Sequence, residues 1–432
     1  MRRITVGLVA LALLMALAIP AAAQVPGPGG PYNSAFTVQN LGSTDANCTF
    51  SLYGTSATPA YTSSAFVVSG DGSYFVYVGN LSVGDGQYSA VVSCDQDVAA
   101  VANMTDDVRA ASYSGFRAAE TGTTLYAPGI YKSYYGFTTN VVVQNTTSGA
   151  IDIDLEVYAA GSSTPVETFS ETSVPANTSV SFDQGDLASS GLYSAKIVAT
   201  GEAAAVVDIW NSAGQLYSYN AFGSGATVAY APVLMSGYWG FNTALTVQNL
   251  GSSATLVTVT YSDASTHSET VAANSSELFY TPNEGLGAGW LGSAKVESGG
   301  EPIVALINEE GALNRAASYS GFAAGSTTAN APIVMKDYYD YSTSITCQNI
   351  GTSATDITIT YSDASSTTDT ATGVAANGSA LFYQPDETGL SAGFNGSAVI
   401  TAGENIVCVV NENQVDNTAS EDWLLSYNAI VQ

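Results

Sequence analysis

One histidine, His267, serves a chain of 432 residues. It sits in Asp263-Ala264-Ser265-Thr266-His267, a stretch that reads as a hairpin tip and a solvated turn residue. A Ser-His-Asp or Cys-His catalytic set would have to use this one imidazole, and no catalytic motif surrounds it. There is no Cys-x-x-Cys and no histidine pair, so zinc binding has no support. Basic residues are also scarce. Nine Lys and Arg stand against 37 Asp and Glu, for a net charge of −28. Nucleic acid needs clustered cations to displace its counterions, and anionic membrane surfaces repel such a chain. Only 11% of residues are charged, which argues against a charge-driven disordered chain. No long segment has helical periodicity. These absences point away from an enzyme and away from a nucleic-acid binder.

What is present begins with a leader. Arg2 and Arg3 precede an apolar run from Ile4 to Ile19, then Pro20 and Ala21-Ala22-Ala23. That is the pattern of a secretory signal cleaved before Gln24. The run is short for a membrane span, which needs about 20 residues, and no second one follows. The expected location is therefore secreted, extracellular or cell-surface. In that oxidising setting four cysteines suggest disulfides, and their clustering favours Cys48–Cys94 and Cys347–Cys408.

Internal repetition is the strongest signal. Leu245-Thr246-Val247-Gln248-Asn249-Leu250-Gly251 recurs as Ile345-Thr346-Cys347-Gln348-Asn349-Ile350-Gly351, 100 residues on. Earlier copies are Val38-Gln39-Asn40-Leu41-Gly42 and Val143-Gln144-Asn145. A second marker closes each unit: Ser112-Tyr113-Ser114, Ser218-Tyr219-Asn220, Ser318-Tyr319-Ser320 and Ser426-Tyr427-Asn428. A third opens units two to four: Ala127-Pro128, Ala231-Pro232 and Ala331-Pro332. The first unit lacks that opening. The divisions are a leader at 1–23 and repeats at 24–124, 125–227, 228–329 and 330–432.

Within a unit the period is two. Ile151-Asp152-Ile153-Asp154-Leu155-Glu156-Val157 and Ile357-Thr358-Ile359-Thr360-Tyr361 alternate apolar with polar, as half-buried strands do. Wholly apolar runs at Ile303 to Ile307 and Ile406 to Val410 read as more deeply buried central strands. About seven short strands per hundred residues indicate an all-β, Ig-like β-sandwich. A short helical turn is expected near Glu284 to Gly287. Linkers of a few residues, stiffened by Ala-Pro, suggest four sandwiches end to end as a rod of roughly 150 Å.

Three features recur together: Val-Gln-Asn-x-Gly, a strand ending Tyr-Ser-Asp-Ala, and the turns at Asn177, Asn274 and Asn377. Together they resemble the CARDB-like β-sandwich modules of bacterial cell-surface proteins. Unit two departs at Thr146-Thr147, and unit one has no clear copy of the third feature. The resemblance implies a surface location and adhesive or scaffolding use, and it brings no catalytic residues.

The remaining candidate sites are few. Asp71-Gly72, Asp85-Gly86 and Asp106-Asp107 are the places a calcium ion would suit, but none has the spaced oxygens of an EF-hand loop, and Asp-Gly turns explain them. No cofactor is expected. Eight sequons, at Asn47, Asn80, Asn103, Asn145, Asn177, Asn274, Asn377 and Asn395, are candidate glycosylation positions. Lys132 with Asn220, and Lys336 with Asn428, open and close units two and four and are candidate partners for an isopeptide crosslink. Aromatic clusters at Tyr134-Tyr135, Tyr238-Trp239 and Tyr338-Tyr339 either pack one unit on the next or stack on sugars. The function expected is a secreted structural protein that self-assembles into a filament, sheath or layer, with itself as partner through an open strand edge on unit one. The alternative is a monomeric adhesin or glycan-binding rod with glycans or other surface proteins as partners.

Overall fold

The computed structural model describes residues 10–13, 32–106, 108–311, 314–414 and 422–431. Most of the expected leader lies outside them. Unit two shows the plan. Its strands are the opening strand Gly122–Tyr134, then Phe137–Asn145, Ile151–Ala159, Glu167–Val174 and Ser179–Asp183, the long strand Gly191–Trp210, and the closing strand Leu216–Asn220. The first half of the long strand pairs with the opening strand and with Ile151–Ala159. Its second half pairs with Phe137–Asn145 and with the closing strand. Two antiparallel sheets thus share one long strand and close face to face on a core that includes Leu125, Val143, Leu155, Ile197 and Val207. The all-β sandwich expectation holds. Units two to four each add one turn of 3-10 helix and unit one adds two; in unit three it is Thr281–Asn283, just before the expected position.

The Ala-Pro and Ser-Tyr markers explain each other. Proline has no N–H, and the opening strand slips register between Ala127 and Ile130, Ala231 and Leu234, and Ala331 and Val334. The residue after each proline would be left with a buried, unpaired amide and carbonyl. The closing-strand tyrosine satisfies both. The Tyr219 hydroxyl accepts from the Gly129 amide at 3.3 Å and donates to its carbonyl at 3.1 Å. Tyr319 does the same for Val233, and Tyr427 for Ile333.

Unit one is completed from an unexpected source. Ala10–Leu13 pairs with Ser89–Cys94, with Leu11 opposite Val92 and Leu13 opposite Ala90. In unit two Leu125 stands opposite Ile197 and Ala127 opposite Ala195. Ala10–Leu13, inside the expected leader, therefore fills the place of the missing opening strand, in the same register.

The units do not form a rod. The closing strands Ala110–Ser114, Leu216–Asn220, Ala316–Ser320 and Leu424–Asn428 pack in a closed cycle, the first against the fourth. Ser112 Oγ donates to the Ser426 carbonyl at 2.8 Å across that junction. The physical reason lies in the wholly apolar runs. One face of each such strand fills its own unit; the other packs on the unit before. Val142, Ala204 and Val206 join the core of unit one, and Leu306 joins that of unit two. Val407 and Val409 join unit three, and Val101 of unit one joins unit four. A rod would leave those faces in water.

The Val-Gln-Asn motif fixes the ring's joints. Its asparagine holds its own unit: Asn249 Nδ2 donates to the Ser253 and Val271 carbonyls, and Asn40, Asn145 and Asn349 do likewise. In units three and four its glutamine reaches backwards. Gln248 Nε2 donates to the carbonyl of Ala195 in unit two, and Gln348 Nε2 to that of Ala294 in unit three. Serines tie the next unit forwards: Ser194 to the Asn274 carbonyl, Ser293 to Asn377, and Ser397 to Asp71. Asn177, Asn274 and Asn377 sit at φ between 61° and 63°, and Asp71 at 56°, so Asp71 is unit one's copy of the turn that its sequence hides. Leu306 is fully buried across the joint between units two and three. Leu306→Ala should cost about 2–5 kcal/mol in chemical denaturation. A loss below about 0.5 kcal/mol would show that the joint is not packed.

Candidate functional site: the aromatic end of the ring

The hairpin joining the opening strand to the next strand turns on two residues with positive φ. They are Tyr135 (49°) and Gly136 (86°), Trp239 (48°) and Gly240 (82°), and Tyr339 (48°) and Asp340 (66°). Two consecutive left-handed residues make the tight turn that suits a twisted hairpin, and its first position normally takes Asn, Asp or Gly. Here three units place a large aromatic there, at a cost of roughly 1–2 kcal/mol each. These rings touch the preceding aromatic yet stay largely in solvent: Tyr135 is 85% exposed, Trp239 74% and Tyr339 81%. The preceding residue does the packing instead. Tyr134 lies against Tyr131, while Tyr238 stacks under Trp239 at 5.2 Å and 14°. Each sequence cluster thus divides into one packing ring and one displayed ring. In unit one Tyr32 takes the position of Phe137, Phe241 and Tyr341, with Arg109 over its ring at 5.7 Å.

The Trp239 tip stands over the joint between units three and four. Trp239 meets Tyr383 of unit four edge-on at 6.4 Å. Beside them a cleft of about 100 Å³ runs between units three and four, lined by Tyr238, Trp239, Leu381 and Tyr383 with Glu309 and Asn413. At this end Asp422 ties the ring. Its carboxylate accepts the Leu216 and Ala316 amides at 2.8 Å each, from units two and three, and its own amide donates to Val108 of unit one at 2.7 Å. Burial pushes its carboxyl well up despite these bonds. At the other end, a depression of about 340 Å³ is lined by the closing strands and Arg117 and Glu120. Its polar groups are spent on one another: Asn220 Nδ2 donates to the Ser114 carbonyl and Asn428 Nδ2 to that of Ser320.

Three more acids lie buried in the joints. Asn411 donates to Glu309 at 2.8 Å across units four and three, and Asn103 to Glu412 at 3.1 Å across units one and four. In each the second carboxyl oxygen is buried without a protein partner. Burial raises both to about 8, and Asp208, bonded by Ser218, to about 6.

The other expected residues fall as follows. Both disulfides form, each between directly opposed strand residues. Neither isopeptide pair is brought together. Lys132 Nζ donates to the Gly185 carbonyl and Lys336 Nζ to that of Glu387, while Asn220 and Asn428 serve the ring centre. His267 is not a hairpin tip. It lies in the strand Thr266–Val271, opposite Val259, and its ring pairs with Glu284, which raises its pKa. Asn145 is fully buried and Asn103 is bonded to Glu412, so the fold spends both sequons; Asn47, Asn80, Asn377 and Asn395 are exposed, and Asn177 and Asn274 half-buried. Asp71 is a turn residue, Asp106 pairs with Arg109 at 2.8 Å, and Asp107 lies outside the described residues. Among the described residues no group of three His, Cys, Asp or Glu is gathered for a metal, and no helix is long and apolar enough to cross a membrane.

No family model matches the chain, and no curated protein does. One solved structure it is similar to is an α-L-rhamnosidase of Streptomyces avermitilis complexed with L-rhamnose. The identity is 8% over 85% of this chain, and the TM-score is 0.12. The chain spans 54% of that protein's length, and a likeness this weak carries no argument.

The buried acids set a pH dependence. An acid whose folded pKa is raised contributes stability that is complete below its unfolded pKa, here about 4.5 for glutamate. That stability is lost as pH rises through the folded value. The thermal midpoint should therefore fall between pH 5 and pH 8.5. The double variant Glu309→Gln, Glu412→Gln should flatten the fall. A midpoint that climbs over this window would contradict the assignment.

Proposed function

We propose that this is an exported surface protein of the adhesin kind, which holds its ligand with the aromatic end of the ring. The observation that supports it most is the recurrence of an exposed aromatic on a strained turn in three units. Backbone strain that a commoner residue would relieve marks a position kept for something other than folding. Three such tips on one end offer multivalent contact, where weak single contacts sum to strong retention. Two disulfides suit an oxidising extracellular setting. The CARDB-like resemblance agrees with surface use. Retention of the purified protein on intact bacterial cell walls tests the reading. Tyr135→Ala, Trp239→Ala and Tyr339→Ala should each weaken retention severalfold, and the triple variant should abolish it. Unchanged retention of the triple variant, with an unchanged melting temperature, sinks it.

Self-assembly into a filament, sheath or layer is the second reading, and one observation favours it. The strand on the edge of Ser89–Cys94 comes from the segment that reads as a cleavable leader. Its removal would open a sheet edge to a strand of a second copy. Residues 24–432 should then associate in light scattering while the uncleaved chain stays monomeric. Monomers in both preparations remove this reading.

A further inference from the structure

The cleft beside Trp239 sets an exposed indole, a wall from the next unit and a buried glutamate side by side. Tyr238 covers one face of the indole, and the residue is still 74% exposed, so a flat apolar face is left open at the cleft's rim. The wall across from it belongs to unit four, through Leu381 and Tyr383. Glu309 is among the residues lining the cleft. It is fully buried; its Oε2 accepts from Asn411, and its Oε1 has no protein partner. A buried polar atom left unpaired costs about 1–3 kcal/mol unless something in the cleft bonds it. The cavity holds roughly three waters' worth of volume, which is too little for a whole sugar ring and enough for an exocyclic arm.

We infer that this cleft is a binding site for a neutral pyranose, whose apolar C–H face lies on the Trp239 indole and whose exocyclic hydroxyl reaches Glu309. This rests on the aromatic-end reading and names its ligand. The indole supplies area without an ionic partner. Glu309 supplies one oxygen for a hydroxyl, and a glutamate held neutral by burial both donates and accepts. No Lys or Arg lines the cleft, and the chain's charge of −28 disfavours uronic or sialic acids. The ring contains its own comparator. At the Tyr135 tip the strand position matching Glu309 is Ile209, which bonds nothing; at the Tyr339 tip it is Glu412, buried with an unpaired Oε1 as Glu309 is.

The test is a saturation-transfer NMR titration of the full chain with methyl glycosides of glucose, galactose, mannose and N-acetylglucosamine, and with glucuronate as the anionic comparator. At least one neutral glycoside should bind saturably, and glucuronate should not. Trp239→Ala should weaken that binding at least tenfold and Glu309→Ile severalfold, while Leu256→Ala, at an exposed position of unit three outside the cleft, leaves it unchanged. Trp239→Phe should keep part of it, and the melting temperature of each variant guards against misfolding. Absence of any saturable neutral glycoside overturns the inference, as does binding that Trp239→Ala and Glu309→Ile leave intact. If Trp239→Ala loses cell-wall retention while no glycoside binds, the aromatic end remains the adhesive surface and the saccharide assignment falls.

Discussion

Everything in this molecule depends on one sheet of each unit being apolar on both faces. A β-sandwich needs only one buried face per sheet, and the other is usually polar. Here the second face carries Val101, Val206, Leu306 and Val409, and each of them packs into a neighbouring unit's core. Four such joints, each turning the same way, bring the last unit back onto the first. The closing strands then meet at the centre, and the hairpin tips are carried to one end.

Polar groups make the joints specific. Apolar faces alone can slide, but a buried glutamine that must find the carbonyl of the preceding unit cannot. Gln248 and Gln348 do this, and the serines Ser194, Ser293 and Ser397 answer from the other side. Asp422 then locks one end by accepting amides from two units while bonding a third. The same joints hold Glu309 and Glu412, whose carboxyls burial pushes up to about 8.

Much of the fold was legible in the sequence and the arrangement was not. Alternation at Ile151 to Val157 and at Ile357 to Tyr361 marks half-buried strands, and the repeats mark four units. The Gln-Asn pair was visible as a marker, yet only coordinates show that its two amides point to different units. The runs at Ile303 to Ile307 and Ile406 to Val410 were read as deep within one sandwich. Their second apolar face was the available sign of a lateral joint, but periodicity does not say which neighbour covers a face. The Asp71 turn escaped notice because Ser69-Gly70-Asp71-Gly72 shares a backbone shape, not residues, with Ala-Asn turns. At the aromatic clusters, packing and display were posed as alternatives, and adjacent residues do one each. Glu309 and Asp422 had no sequence signal, since their roles come from residues that are distant along the chain.

Small-angle X-ray scattering of the full chain tests ring closure most directly. A compact body of about 400 residues has a radius of gyration of about 21 Å, with a modest increase expected for an open centre. Four sandwiches in a rod of about 150 Å would give about 43 Å, from the strand-based length. A value below about 27 Å is the result predicted by the lateral joints. A value near 40 Å would mean that the apolar faces do not meet and that the units are strung end to end.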